Sequence, residues 1–419
     1  MTVDLNFPIN GYAVMLSTFY VTFSTLAVPG VMLTRKVGPS WTIPGYMIGW
    51  GSMAMLNAAC TNYAEVLVVR LVLGAFEAGF AASLIFYLTT FYTRGELGAR
   101  IAIFYSVQAL AGAFSGLIAY GVFQMESTLK GWQILMLVEG AFTLGFAILT
   151  AIMLPWSTET ANFLSAREKQ VARLRILQDG STETSTVFDA KRFFKPLTDW
   201  KYYVFASIAL CYGVAASVAS NFLTQIIGRF GYSTVKTNLF TVAPYACGTI
   251  AMMITAYSSD RFRERGFHLA SSLVLVIIGC ILLTCLPLTS TGPAYFATFL
   301  ITMGAYTPSC LFHTWHQCND PSEDGRAFRV GSLTFLANTG GFVSANIFLD
   351  KWAPQYVIPL GITCGIEVLA LVLVVGLRLY MSIDNRRRNK QHNVEWQSKD
   401  VPTEALGDGP RNPLFRHFY

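Results

Sequence analysis

FHLASSLVLVIIGCILLTCLPL, residues 267–288, contains no Asp, Glu, Lys or Arg. A helix rises about 1.5 Å per residue, so a stretch of about 20 residues spans the roughly 30 Å hydrocarbon core of a bilayer. Working outward, ten further stretches have this character: 10–33, 41–61, 66–92, 100–123, 132–154, 202–228, 238–258, 293–316, 327–349 and 355–381. The whole chain agrees with them. Apolar residues make up 53% and charged residues 13% of it, and its mean hydropathy is +0.46. A water-soluble domain carries roughly 25% charged residues, so this composition leaves too little polar surface to coat one. The sequence predicts an all-α integral membrane protein of about eleven spans.

The basic residues set an orientation. If the loop carrying Arg35 and Lys36 is cytoplasmic, the same side receives Arg94, Arg100, the 155–201 loop, Arg261, Arg263, Arg265, Arg326, Arg329 and the tail after Met381. That side then holds about 24 of the 30 Lys and Arg residues, against Lys130, Arg229, Lys236 and Lys351 on the other. The asymmetry follows the positive-inside rule. It accounts for the net charge of +6 by contact with anionic lipid headgroups, with no nucleic-acid partner. The C-terminus is expected inside and, with eleven spans, the N-terminus outside.

The longest loop divides the chain into 1–154 with five spans, a loop at 155–201, and 202–381 with six spans. A polar tail, 382–419, is expected to be disordered. Within the loop, Ser165 and Glu168 have capping-box spacing. They open an amphipathic helix, 165–178, with Val171, Leu174, Ile176 and Leu177 on its apolar side, suited to the membrane surface. The eight cysteines form no CxxC pair and no zinc spacing. No GxxxxGK[ST], HExxH or GxSxG occurs, which argues against a nucleotide-driven pump and against an enzyme.

RLVLGAFEAGF (70–80) resembles the R-x-x-L-G-x-x-E-A-G signature of the anion:cation symporter family. GWQILMLVEG (131–140) and LPWSTETANFLSAREKQ (154–170) resemble that family's sixth helix and the loop after it. SSDRFRERG (258–266) is similar to the basic loop motif of the wider major facilitator superfamily. WHQCND, GRAFRVG and NTGG, within 315–341, resemble its fungal allantoate-permease-like branch. The resemblance covers about residues 10–381. It implies the major facilitator fold, two helical halves around a central site. In that alignment the first span here is the family's second helix, and the usual first of twelve is missing, which agrees with the orientation argument.

Ionisable groups inside spans are costly and mark candidate sites. Arg70 and Glu77 stand two turns apart on one helix face, about 10.5 Å along the axis, with Gly74 between them leaving room for a ligand or a neighbouring helix. That spacing suits an anion at the arginine and a carboxyl that takes up and gives back a proton. The resemblance implies the same two roles. It also assigns substrate contact to Gln108 and Asn338, while His313, with His316 three residues on, is a further candidate cavity residue. It gives Asp260, Arg261 and Arg265 a gating role. Two departures, Phe23 where relatives carry tyrosine and Ala27 where they carry an acid or amide, predict a changed substrate preference. The expectation is a secondary transporter of a small organic anion, driven by the proton gradient without a bound cofactor or metal. It would work as a monomer, in the plasma membrane. A fungal metabolite exporter and a transport-inactive sensor are the alternatives.

Overall fold

The computed structural model describes residues 4–8, 10–93, 96–122, 127–178, 190–232, 234–320, 323–398, 400 and 412–419. The first half contains α1 (Gly11–Thr25), α2 (Ala27–Val37), α3 (Pro39–Asn57), α4 (Tyr63–Phe91), α5 (Leu97–Val122) and α6 (Gly131–Met153). Two helices follow in the loop, α7 (Ala166–Gln178) and the short α8 (Ala190–Phe194). The second half contains α9 (Trp200–Ser217), α10 (Leu223–Gly228), α11 (Thr234–Phe262), α12 (Gly266–Cys285), α13 (Thr291–Cys318), α14 (Glu323–Ile347) and α15 (Val357–His392). Among the described residues six helices are long and apolar enough to cross a membrane. The pair α1–α2, bent by 41° at Leu26, makes a seventh if it counts as one span. The other predicted spans are helical too, as α3, α5, α13 and α14.

The outer helices show why lipid is the solvent. On α6, Phe142, Phe146, Ile148, Leu149, Ile152 and Met153 are all exposed. In water such a face would be a large apolar patch. Prolines inside spans are tolerated because other groups take the freed carbonyls. Pro244 removes the hydrogen bond that Phe240 O would accept within α11. The Tyr295 hydroxyl of α13 donates to that oxygen instead, at 2.9 Å.

The halves repeat one packing scheme. In the first, α3 packs on α4 and α6, and α4 on α1 and α2. In the second, α12 packs on α13 and α15, and α13 on α11. Across the seam α5 meets α11, and α14 meets α1 and α2. One element lacks a counterpart: α9 lies against α14 and α15, and among the described residues no helix takes the equivalent place between α5 and α6. On α6 itself, an open apolar groove of about 510 Å³ runs along Val138, Ala141, Phe142, Gly145, Phe146 and Leu149.

Close helix approach rests on glycine at two places. A Cβ on Gly30 of α2 would fall 2.5 Å from Gly79 Cα of α4. One on Gly213 of α9 would fall 2.0 Å from Ala337 O of α14. The two halves touch at the basic end through Arg35 and Asp324, whose Nε and Oδ1 are 3.3 Å apart.

The Ser165 N–H and hydroxyl each lie 2.8 Å from Glu168 Oε2, and Glu168 N–H donates back to Ser165 Oγ at 3.4 Å. This is the capping box. The hydrogen bonds from Ser165 hold the Glu168 carboxyl below its ordinary range. Disorder from residue 382 does not describe the placed parts of the tail, while 401–411 lie outside the described residues. α15 continues to His392, and Phe415, Arg416, His417 and Phe418 are buried against the second half. The polar composition hid the aromatic residues at its extreme end.

Candidate functional site

α4 carries the leading pair. Its start is fixed by Asn62, whose side chain accepts the Glu65 N–H at 2.9 Å, while Glu65 accepts the Thr61 N–H at 2.6 Å. From this start the helix runs unbroken to Phe91, so Arg70, Gly74 and Glu77 share a face. Gly74 is covered by α1 and gives no room to a ligand. A Cβ there would sit 2.6 Å from both Phe19 O and Thr22 Oγ1, and the Thr22 hydroxyl donates to Leu71 O at 2.7 Å.

Arg70 and Glu77 are both partly exposed rather than sealed. The Arg70 Nε is buried without a hydrogen-bond partner, and Glu77 and Glu139 both lie within the electrostatic reach of its guanidinium. Tyr12 is another group in that field. It also lines a cavity of about 360 Å³ between the halves, with Phe7, Asn10, Phe222, Gln225 and Phe348. This cavity lies at the end of the bundle opposite the Arg35–Asp324 contact. The arginine therefore has a donor to spare, and Tyr12, within its field, lines this cavity.

Glu77 also acts electrostatically on Tyr20 of α1. The Tyr20 hydroxyl accepts a hydrogen bond from Asn221 Nδ2 at 2.8 Å, and Asn221 donates to Ser217 Oγ at 3.0 Å. Ser217 and Ser344 hydroxyls are 2.6 Å apart. This chain ties α1 of the first half to α9 and α14 of the second. Asn221 lies in a π-helical turn, Val218–Phe222, between α9 and α10. Such turns occur often at functional sites.

The remaining candidates fall in different places. Asn338 is partly exposed, with its Nδ2 buried and unpartnered. It stands one turn before Gly341, whose Cβ position meets the Tyr20 ring at 2.3 Å, so it faces the same layer. The side chain of Gln108 lies outside the described residues. His313 is 1% exposed. Its Nδ1 is 3.1 Å from His316 Nε2, and its ring lies parallel to Tyr105 across the seam, with centroids 6.4 Å apart. In this conformation it is a sealed packing residue. Arg265 is buried and forms an ion pair with Asp260, and it donates to Ser259 Oγ at 2.9 Å. Arg261 is exposed and stands outside that pair.

Sequence reasoning missed Tyr20, Ser217, Asn221 and Ser344, because hydroxyls and amides are ordinary in helices until a partner is known. Glu367 was also missed, although it is the lone acid of the 357–381 stretch and is fully buried. The rule that singled out Glu77 applies to it equally.

Comparison with known proteins accords with this architecture. The profile of the Major Facilitator Superfamily matches residues 1–349. The chain is 44% identical over 407 residues to the MFS-type transporter efuF of Hormonema carpetanum, covering 97% of this chain and 83% of that protein. It is 38% identical to the major facilitator-type transporter hxnP of Emericella nidulans, covering 99% and 85%. Identity to the high-affinity nicotinic acid transporter of Saccharomyces cerevisiae is 27%, covering 100% and 78%. The solved structure of the proton:xylose symporter XylE superposes with a TM-score of 0.69 over 87% of this chain and 85% of that one, at 14% identity. At that identity the likeness speaks for the fold alone. The chain, a multi-pass membrane protein, belongs to the Major Facilitator Superfamily.

Proposed function

We propose that this transporter carries a small organic anion together with a proton, by alternating access, as in the anion:cation symporters and their allantoate-permease-like branch. The observation that carries the reading is the face of α4. Arg70 has an unpartnered buried Nε, and Glu77 is two turns away in the same field. A carboxylate entering by the cavity beside Tyr12 would neutralise the guanidinium in a medium of low dielectric. Protonating Glu77 would then remove the repulsion between two negative groups. The Tyr20–Asn221 bond puts this pair next to the seam between the halves, where rocking motions act. The basic end faces the cytoplasm and the 360 Å³ cavity the outside. Asn338 contributes an amide to the same layer. His313 is sealed in this conformation and would reach substrate only after a rearrangement of the α5–α13 contact. Asp260 and Arg265 hold the basic end shut. The nicotinic acid transporter among the relatives makes an aromatic monocarboxylate the first substrate to try.

Binding tests the recognition step separately from transport. Purified protein in detergent is heated with nicotinate, allantoate and the neutral amide nicotinamide, and its melting temperature is recorded. The reading expects stabilisation by at least one carboxylate, none by the neutral amide, and loss of the effect in Arg70→Gln. Equal stabilisation by acid and amide, or an undiminished effect in Arg70→Gln, would remove anion recognition from Arg70.

A further inference from the structure

The last eight residues, 412–419, occupy a built cradle at the basic end of the second half. Two asparagine side chains each hold one residue of the tail by both of its backbone groups. Asn385 of α15 donates to His417 O at 2.8 Å and accepts the His417 N–H at 2.7 Å. Asn319, just past α13, donates to Phe418 O at 2.7 Å and accepts the Phe418 N–H at 3.1 Å. A side-chain amide has one donor side and one acceptor side, so each pairing reads peptide backbone rather than side-chain identity. The Trp315 indole N–H adds a second donor to Phe418 O at 3.0 Å, and the Arg265 N–H donates to Tyr419 O at 3.0 Å. The side chains supply the apolar contact. Phe415 is fully buried, Phe418 is 6% exposed, and the Phe418 ring stacks under the Arg265 guanidinium at 5.5 Å. Arg388 Nη1 donates to Asn412 O at 2.8 Å, and Arg378 lies 5.0 Å from the centre of the Tyr419 ring.

The position of the cradle gives it a consequence. Arg265 belongs to the turn between α11 and α12, and Trp315 and Asn319 to the end of α13. Helices α11 and α13 of the second half both pack against α5 of the first. The tail thus joins the turn after α11 and the end of α13 to α15, and its Phe418 ring covers the buried Arg265 guanidinium. We propose that residues 412–419 are a resident peptide ligand whose docking holds the basic end closed, and that their release frees the ends of α11 and α13 to move away from α5. The substrate reading above is independent of this latch.

Backbone hydrogen exchange on the full-length protein in nanodiscs tests it, with the free octapeptide NPLFRHFY as the reference. In the wild type the amides of 415–419 should exchange slower than in the octapeptide by roughly a hundredfold or more. In Asn319→Ala/Asn385→Ala that protection should be lost, and exchange at 97–107 of α5 and at 258–266 should rise with it. If the double variant is not recovered folded, Asn385→Asp serves. It keeps the acceptor for the His417 N–H but loses the donor to its carbonyl, and the same changes are expected in smaller measure. Wild-type residues 415–419 exchanging at the octapeptide rate would overturn the docking. A released tail with 97–107 unchanged would overturn its control of the seam.

Discussion

Replacing Gly213 by alanine should loosen the second half and, through it, the polar layer between the halves. The added Cβ would lie 2.0 Å from Ala337 O, 2.7 Å from Ala337 C and 2.9 Å from Ala337 Cα. These are backbone atoms of α14, so no rotamer change relieves the overlap. Ordinary contact begins near 3.4 Å, and α9 must withdraw from α14 by about an ångström at that point. Overpacking of this kind costs about 1–3 kcal/mol. One turn further on, the withdrawal acts on the Ser217–Ser344 hydroxyl pair, 2.6 Å apart, and then on Asn221 and Tyr20. Losing a buried hydroxyl partner costs a further 1–3 kcal/mol or so. The assay is thermal stability in detergent, read by the monodisperse fraction surviving a heating series. Gly361→Ala is the control, because a Cβ there meets nothing within 4 Å. Gly213→Ala should melt several degrees below the wild type, and Gly361→Ala should melt at the wild-type temperature. Equal melting of both variants would refute the close approach of α9 and α14.

Further outcomes follow from other parts of the molecule. Ser165→Ala removes the capping hydroxyl of α7 and should cost about 1 kcal/mol of local stability, seen as faster hydrogen exchange confined to 166–170. Tyr20→Phe leaves Asn221 Nδ2 with Ser217 alone and should lower stability by about 0.5–1.5 kcal/mol. Flux should fall with it, whereas a Tyr20→Phe protein indistinguishable in both would show the cross-seam bond to be idle. Acid should release the tail. Burial holds the His417 imidazole below its ordinary range despite the neighbouring Asp384, so docking is favoured while the free-chain imidazole is neutral and weakens as pH falls through about 6.5. Asp384, held down at about 2 by His417 and then Arg388, stays charged across that window and does not compete. The protection of 415–419 relative to the octapeptide should therefore shrink between pH 7.5 and pH 5.5, taken as roughly one unit either side of the ordinary histidine value.

The periodic part of the fold was legible in the sequence, because a bilayer demands long apolar helices and charge asymmetry orders their ends. The capping box at Ser165 could be read because it is local, needing only two residues three apart. Arg70 and Glu77 could be read because a charge in a span is conspicuous. What could not be read depends on distant partners. Tyr20 and Asn221 are 201 positions apart in the chain, and neither looks unusual alone. Gly74, placed between two charges, left room for a ligand or a neighbouring helix, and only the fold decides that α1 takes the place. The tail was misread because net polarity over 382–419 outweighed Phe415, Phe418 and Tyr419, and because its cradle is assembled from three separate elements.

Anion binding at Arg70 and proton carriage at Glu77, the two proposed steps, separate in one proteoliposome experiment. Labelled carboxylate is followed in two modes: accumulation driven by an inward proton gradient, and exchange with preloaded unlabelled solute without a gradient. Glu77→Gln should keep exchange and lose gradient-driven accumulation, while Arg70→Gln should lose both. A Glu77→Gln protein that still accumulates the solute against its gradient as the wild type does would contradict proton carriage at Glu77.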